Sequence, residues 1–387
     1  MKKAAVVITS TCYSSRADFD LIRSWLKENG WKLVRRIENA DLVIVHTCAY
    51  VKAKEDQSIM MIKVIKSNMQ KNSRLIVTGC LPAINKNRLG RIFKGVSVSS
   101  KYLHQLEGSI NGKVKFRDIG FTEPTGISLN KLGDKPQPGY LFKEYRLRIG
   151  RGCNGSCSYC VIRRVFGKPE SRPVLEILRE FRTALKRGYK KFVLVANEVG
   201  AYGEDIGADV VELITSLAAA SGTAKFAISN ITPDKLKELL PRLKKFIYKK
   251  RIWRINVPVQ SGSDAVLRKM RRSYVVDDFK SAIEEIFKLN PEILIETDVM
   301  VGFPSESKSD FYKTVLLTEW LNKNKVFSQV FPYDPRPHTP SILITPQVGR
   351  REKQKRFEKI EFLCSSYFVM KNKMLLKKWK NEWKIKR

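Results

Sequence analysis

The stretch GRGCNGSCSYCVIRR, Gly150–Arg164, holds Cys153, Cys157 and Cys160 at C-x3-C-x2-C spacing, with no fourth cysteine beside them. A tetrahedral metal or an iron–sulfur cube normally takes four protein ligands, so three thiolates leave one position open to a substrate or cofactor. Gly150, Gly152 and Gly155 free the loop backbone to fold around a bulky group. The preceding run, Tyr145–Gly150, reads as a β-strand, which places the cysteines at a strand's C-terminal end. Five more strand-type runs follow: Lys191–Asn197, Lys225–Ser229, Arg254–Pro258, Ile293–Val301 and Val326–Tyr333. Helical patterns separate them, for example Pro173–Lys186 behind the cap candidate Ser171. Six β/α units, where a closed barrel has eight, predict a partial, open-sided barrel whose site lies at the C-terminal strand ends.

The first third of the chain alternates in the same way. Lys3–Ser10, Asp41–Thr47 and Arg74–Thr78 are short apolar strand runs. Phe19, Ile22, Trp25 and Leu26 repeat at helical spacing, with Gly30 as the helix stop. Strand–helix–strand order predicts a parallel sheet with right-handed crossovers. Cys12, Cys48 and Cys80 each follow one of these strands, in VVITSTC, LVIVHTC and LIVTGC. Carboxyl ends of parallel strands share one edge, so these three cysteines are a second candidate site. The alternative is three buried structural thiols. The chain as a whole therefore reads as α/β. An N-terminal parallel-sheet domain (1–120) and a linker (121–140) precede the partial (β/α)6 barrel (141–345), and a helix and basic tail follow (346–387). The helix carries Phe357, Ile360, Leu363, Cys364 and Tyr367 on one face.

Charge points to a polyanionic partner. Lys+Arg number 73 against 38 Asp+Glu, a net +35, and the excess clusters in Lys244–Arg254, Arg268–Arg272 and Lys371–Arg387. Nucleic acid fits that field best; a generally basic proteome, adaptation to heat or salt, and an anionic membrane are the alternatives. The opening MKKAAVVITSTC is too short and too soon interrupted for a signal peptide or membrane span, and no other segment is long and apolar enough. The expectation is a cytoplasmic protein with no membrane partner, in which seven cysteines serve metal or catalysis instead of disulfides.

The Cys153 loop, with Tyr159 before its last cysteine, resembles the signature of radical S-adenosylmethionine enzymes. With the Cys12, Cys48 and Cys80 set, the chain is similar to the methylthiotransferase family of those enzymes. The likeness also rests on TCYSSRADFD, HTCAYV, VTGCLP, SRP, ANEVGAYGED, VPVQSGSDAVLRKMRRSY, TDVMVGFPSE and PRPHTP. It implies a 4Fe–4S cluster on Cys153, Cys157 and Cys160 that binds S-adenosylmethionine and makes a 5′-deoxyadenosyl radical. A second 4Fe–4S cluster, on Cys12, Cys48 and Cys80, would carry the sulfur that is methylated and delivered, turning C–H into C–S–CH3. It places cofactor contacts at Tyr159, Asn197, Glu198, Ser229, Gln260 and Asp298, where the plainer roles are helix capping and loop hydrogen bonding.

The resemblance offers two substrates, an adenosine beside the tRNA anticodon or a ribosomal-protein aspartate. The charge favours RNA, whose binding releases counterions. RIGRGCNGSCSYCVIRRVFG is most similar to the archaeal and eukaryotic branch, which converts N6-threonylcarbamoyladenosine to its 2-methylthio form. The implied partners are tRNA, a flavodoxin- or ferredoxin-type electron donor and a sulfur source. A non-catalytic iron–sulfur or zinc RNA-binding protein is the other reading. The family pattern ends in a small RNA-binding barrel, TRAM, whereas eight residues follow Trp379. The expectation is a chain lacking TRAM, with Trp379 and Trp383 stacking on bases or a partner supplying that function. Thr11, Ser305 and His338 stand where the family usually has glycine, and Ser15 and His46 where it usually has asparagine.

Overall fold

A computed structural model describes residues 1–10, 12–110, 112–124 and 144–364. Most of the expected linker, Tyr367, and the basic tail with Trp379 and Trp383 lie outside the described residues. The chain forms two compact units, Met1–Asn230 with Pro335–Thr339, and Ile231–Asp334 with the chain from Pro340 onward.

The first unit opens with a parallel five-stranded sheet in the order β2-β1-β3-β4-β5. Its strands are β1 (Lys3–Ile8), β2 (Lys32–Leu33), β3 (Leu42–Thr47), β4 (Arg74–Gly79) and β5 (Ser97–Ser99). The three expected strands form its centre. The edge strands β2 and β5 are too short to leave a periodic pattern. Every residue of β3 is buried, because helices cover both faces of the sheet. Ile22, Trp25 and Leu26 of α1 (Tyr13–Glu28) pack with Ile44 and Ile76 on one face. Ile59, Ile62 and Ile65 of α2 (Lys52–Asn68) pack with Val43, Val45 and Val77 on the other. Helix α1 ends at Asn29, and Gly30 at φ 77° turns the chain out, as its placement predicts.

The ends of β3 and β4 meet closely. Gly79 adopts φ 104°, and a Cβ there would stand 2.1 Å from the Thr47 carbonyl oxygen. The Cys80 N–H donates to that same carbonyl at 2.9 Å. On α2 the buried Glu55 carboxylate accepts from Asn85 Nδ2 (2.9 Å) and Arg88 Nη1 (2.7 Å), and pairs with Arg336 of the Pro335–Thr339 segment.

The same unit continues into β6 (Glu144–Arg148), the antiparallel pair β7 (Gly150–Arg151) and β8 (Glu170–Ser171), then β9 (Lys191–Val195) and β10 (Lys225–Ile228). β6, β9 and β10 run parallel and side by side. Ser171 is not a helix cap. The helix Val174–Lys186 is entered through Pro173 without a side-chain cap, because pairing of Ser171 with Gly150 in the β7–β8 ladder turns its hydroxyl to the Gly203 N–H (2.9 Å).

The second unit holds β11 (Ile252–Asn256), β12 (Leu294–Val301) and β13 (Phe327–Pro332), again parallel neighbours, with helices Pro233–Tyr248, Val276–Leu289 and Lys308–Lys323. All six expected barrel strands are thus present, three in each unit. In the helix over 350–364, Ile360 is fully buried. Ser305 and His338, where the resemblance expects glycine, both sit at positive φ, 58° and 63°. Glycine suits that conformation without steric cost, which gives the family pattern a physical reason. Among the described residues, no helix is long and apolar enough to cross a membrane.

Candidate active site

The loop after β6 is held by its own backbone. Cys153 N–H donates to the Gly167 carbonyl (3.2 Å) and Cys160 N–H to the Cys157 carbonyl (3.2 Å). The Ile162 N–H reaches Cys160 Sγ at 3.4 Å. A Cβ on Gly155 would stand 3.2 Å from Cys153 Sγ and 3.6 Å from Cys157 Sγ, so the missing side chain makes the cradle in which both sulfurs turn the same way. All three thiols are partly exposed, open to a cofactor from outside.

The strand-end cysteines are the second candidate site. Cys12 caps α1, its Sγ accepting from the Ser15 N–H at 3.4 Å. Cys48 follows β3, and its N–H lies within reach of Thr9 Oγ1 (3.1 Å) and Ser58 Oγ (3.0 Å). Burial, with the neighbouring Cys12, pushes the Cys48 thiol up to about 11. Burial, then Cys48 and Cys12, pushes Cys80 well above the ordinary thiol range. Parallel pairing of β1, β3 and β4 brings the three strand ends that these cysteines follow to one edge of the sheet. Unaided, Cys48 and Cys80 stay protonated at neutral pH, and metal binding there would have to displace those protons.

Both trios fit cluster binding by their donor chemistry: three thiols each, with Gly155 clearing room at one and the β3–β4 approach aligning the other. Among the described residues no Cys, His, Asp or Glu group stands close enough to hold a single metal ion. Cluster ligands sit on separate irons and need wider spacing.

The other expected residues divide between the units. Asn197 Oδ1 accepts from the Gly152 N–H at 2.9 Å, which ties the end of β9 to the cysteine loop. Glu198 Oε1 accepts from the Gly200 N–H at 3.0 Å and caps the turn Val199–Ala201, one of the plainer roles expected of it. Tyr159 is half-buried between Cys157 and Cys160. Ser229, at the end of β10, is buried, and its Oγ has no hydrogen-bond partner among the described residues, an orphan that a cofactor hydroxyl or carboxylate would satisfy. Gln260 and Asp298 belong to the second unit. Gln260 sits at φ 69°, its N–H donating to the Asp298 carbonyl (2.8 Å). Burial, helped by Glu296 and opposed by Arg272, pushes the Asp298 carboxyl up to about 7.

Sequence reasoning missed one group beside the cysteines. Asp18, fully buried on α1, accepts at Oδ1 from Arg148 Nη2 (2.7 Å) and Arg151 Nη2 (2.9 Å). Burial works to raise its carboxyl, but Arg148 and Arg151 outweigh this and hold it below the usual range. His46 is also fully buried, its Nδ1 3.0 Å from Thr78 Oγ1 and its Nε2 3.7 Å from Asp18 Oδ2. Burial pushes its imidazole down to about 4, against the pull of Asp18, so it packs as a neutral ring. The available signal was Arg146 and Arg148 alternating within the strand run Tyr145–Gly150, which the fold buries along with Glu144 in β6.

Comparison with known proteins agrees with this geometry. Residues 147–318 match the Radical SAM superfamily, and residues 4–99 match the "Uncharacterized protein family UPF0004". A Pyrococcus horikoshii protein named "Probable threonylcarbamoyladenosine tRNA methylthiotransferase" is 30% identical over 333 residues, covering 85% of this chain and 76% of that one. The chain belongs to the radical S-adenosylmethionine methylthiotransferase family. A Carboxydothermus hydrogenoformans relative of this methylthiotransferase, named "Ribosomal protein uS12 methylthiotransferase RimO", is 27% identical, over 96% of this chain and 84% of that one. The fold matches that of the radical S-adenosylmethionine methyltransferase TsrM from Kitasatospora setae, solved with cobalamin and a 4Fe–4S cluster bound, at TM-score 0.59. Identity there is 13%, over 88% of this chain and 77% of that one. The methylthiotransferase is therefore an enzyme that uses a 4Fe–4S cluster and S-adenosylmethionine.

Proposed function

We propose that this methylthiotransferase acts on tRNA in the cytoplasm, converting C2–H of N6-threonylcarbamoyladenosine beside the anticodon to C2–S–CH3. The observation that carries the reading is that Cys12, Cys48 and Cys80 follow three strands paired in parallel, at one sheet edge, in the same unit as the Cys153 loop. An enzyme that only cleaves S-adenosylmethionine has no need of a second thiol trio. The net charge of +35 and the printed name of the Pyrococcus horikoshii relative support the choice of RNA.

Residues 1–120 would hold the sulfur-bearing cluster and 141–345 the cofactor-cleaving one. Cys153, Cys157 and Cys160 would hold the latter, leaving it room to bind S-adenosylmethionine. Bound together, cluster and cofactor supply a carbon radical able to remove hydrogen from an unactivated C–H bond. The protein's own task is placement. Asn197 fixes the loop backbone through Gly152. Ser229 offers its orphaned hydroxyl to the cofactor, and Tyr159, Glu198, Gln260 and Asp298 are proposed to border it. An external electron donor and a sulfur source complete the cycle.

The test is nucleoside mass spectrometry. Anaerobically reconstituted enzyme is incubated with tRNA bearing threonylcarbamoyladenosine, S-adenosylmethionine, sulfide and a reductant, and the 2-methylthio nucleoside is the expected product. Release of 5′-deoxyadenosine without that nucleoside would overturn the substrate. The likeness to the ribosomal-protein enzyme makes a uS12 aspartate the next substrate to offer. Loading of zinc, with no cleavage of S-adenosylmethionine, would overturn the enzymatic reading.

A further inference from the structure

The two cysteine sites are joined by one buried carboxylate. Asp18 lies six residues into the segment that begins with Cys12, on the helix Cys12 caps. Its Oδ1 receives Arg151 Nη2, two residues before Cys153, and Arg148 Nη2 from the strand that launches the loop. Both guanidiniums have a second anchor on the sheet side. Arg148 Nη2 donates to the Ser14 carbonyl (2.7 Å) and Arg151 Nη1 to the Ser100 carbonyl just after β5 (2.5 Å). On the far side of the carboxylate, His46 stands two residues before Cys48 and meets Thr78, two residues before Cys80. Every cysteine-bearing element therefore reaches Asp18 directly or through one further residue. Burial and the neighbouring Arg151 push the Arg148 guanidinium down to about 10, against the pull of the Asp18 carboxylate that both cations share. Its two acceptor contacts are charge-assisted and nearly water-free, which makes them stiff.

We infer that Asp18 is a positioning residue that fixes the Cys153 loop relative to the Cys12–Cys48–Cys80 site. The inference rests on the two-cluster reading above. Cleavage of S-adenosylmethionine needs only the loop. Delivery of sulfur needs the second site at a set distance, and a misplacement of about 1 Å can cost about 100-fold in such a step. Loss of the Asp18 charge therefore separates the two activities.

The test uses full-length reconstituted enzyme carrying Asp18→Asn, which keeps an acceptor and removes the charge. Arg151→Lys is the companion, since it preserves the Arg148–Asp18 pair if the first variant folds poorly. Iron and sulfide analysis checks cluster loading, and tRNA bearing threonylcarbamoyladenosine is the substrate. Three quantities are read: 5′-deoxyadenosine released, methylthio nucleoside formed, and the magnetic coupling between the reduced clusters. Methylthio product per 5′-deoxyadenosine should fall by about tenfold or more, with altered coupling. An unchanged ratio and coupling would overturn the inference, as would loss of both activities in step with loss of folded protein. A wild-type enzyme that loads only one cluster would instead remove the two-cluster reading itself.

Discussion

The two cysteine trios are assembled in opposite ways. Cys153, Cys157 and Cys160 lie within a single loop, partly exposed, arranged by local hydrogen bonds and by the missing side chain of Gly155. Cys12, Cys48 and Cys80 come from three strand ends, two of them buried, and meet only because β1, β3 and β4 pair in register. Geometry is a property of the loop in one case and of the whole sheet in the other. Damage to the loop should therefore stay local, and damage to the sheet should spread.

The largest expected contrast is chemical. Cys157→Ala should reduce 5′-deoxyadenosine release to background while iron analysis still finds the first-domain cluster. Cys48→Ala should leave that release standing and abolish the methylthio product. Release surviving in Cys157→Ala would sink the assignment of the loop.

A glycine pair carries the contrast into stability. Gly79→Ala forces a Cβ to within 2.1 Å of the Thr47 carbonyl at φ 104°, where backbone must move. It should cost about 3 kcal/mol or more, read as a fall in the denaturation midpoint. Gly155→Ala meets only two sulfur atoms, at 3.2 and 3.6 Å. Its expected effect is about tenfold weaker cluster loading on reconstitution, by analogy with changes beside metal ligands, with the apo protein's midpoint unmoved. Equal loss of stability in both variants would break the distinction between loop and sheet.

A smaller effect belongs to the unit that carries neither trio. Asp298 is pushed up to about 7 in the folded protein, from an ordinary 3.8. The native state then holds a proton that the unfolded chain has released, so stability falls as pH rises from about 4 through 7. Asp298→Asn should remove that slope and raise apo-protein stability above pH 7 by about 1–2 kcal/mol, discounting for partial exposure. Chemical denaturation at pH 5 and pH 8 measures it, and cluster loading should not change.

Much of this was legible because it is local. The C-x3-C-x2-C loop, the three cysteines after strand runs and the six barrel strands all show in short windows. What escaped depends on distant partners or very short elements. β2 and β5 have two and three residues, too few for alternation to register. Ser171 looked like a cap because nothing nearby announces its pairing with Gly150 across the loop. Asp18 reads as one polar residue on a helix until Arg148, 130 residues later, is known to face it. Asn197 shows in the sequence only as a strand-end residue; that its Oδ1 takes the Gly152 N–H of the cysteine loop, 45 residues earlier, does not.

The Glu55–Arg336 pair has a consequence for the order in which the protein is made. Glu55 is buried within the first sheet domain, yet one of its cationic partners is encoded 281 positions later. On the ribosome, where domains fold from the N-terminus onward, the sheet emerges long before Arg336 does. During that interval Arg88 and Asn85 must satisfy the carboxylate alone. The first unit is finished only when the PRPHT segment arrives, after every strand of the second unit has been synthesised. Completion of this unit thus reports that all the described strands of both units have already been translated.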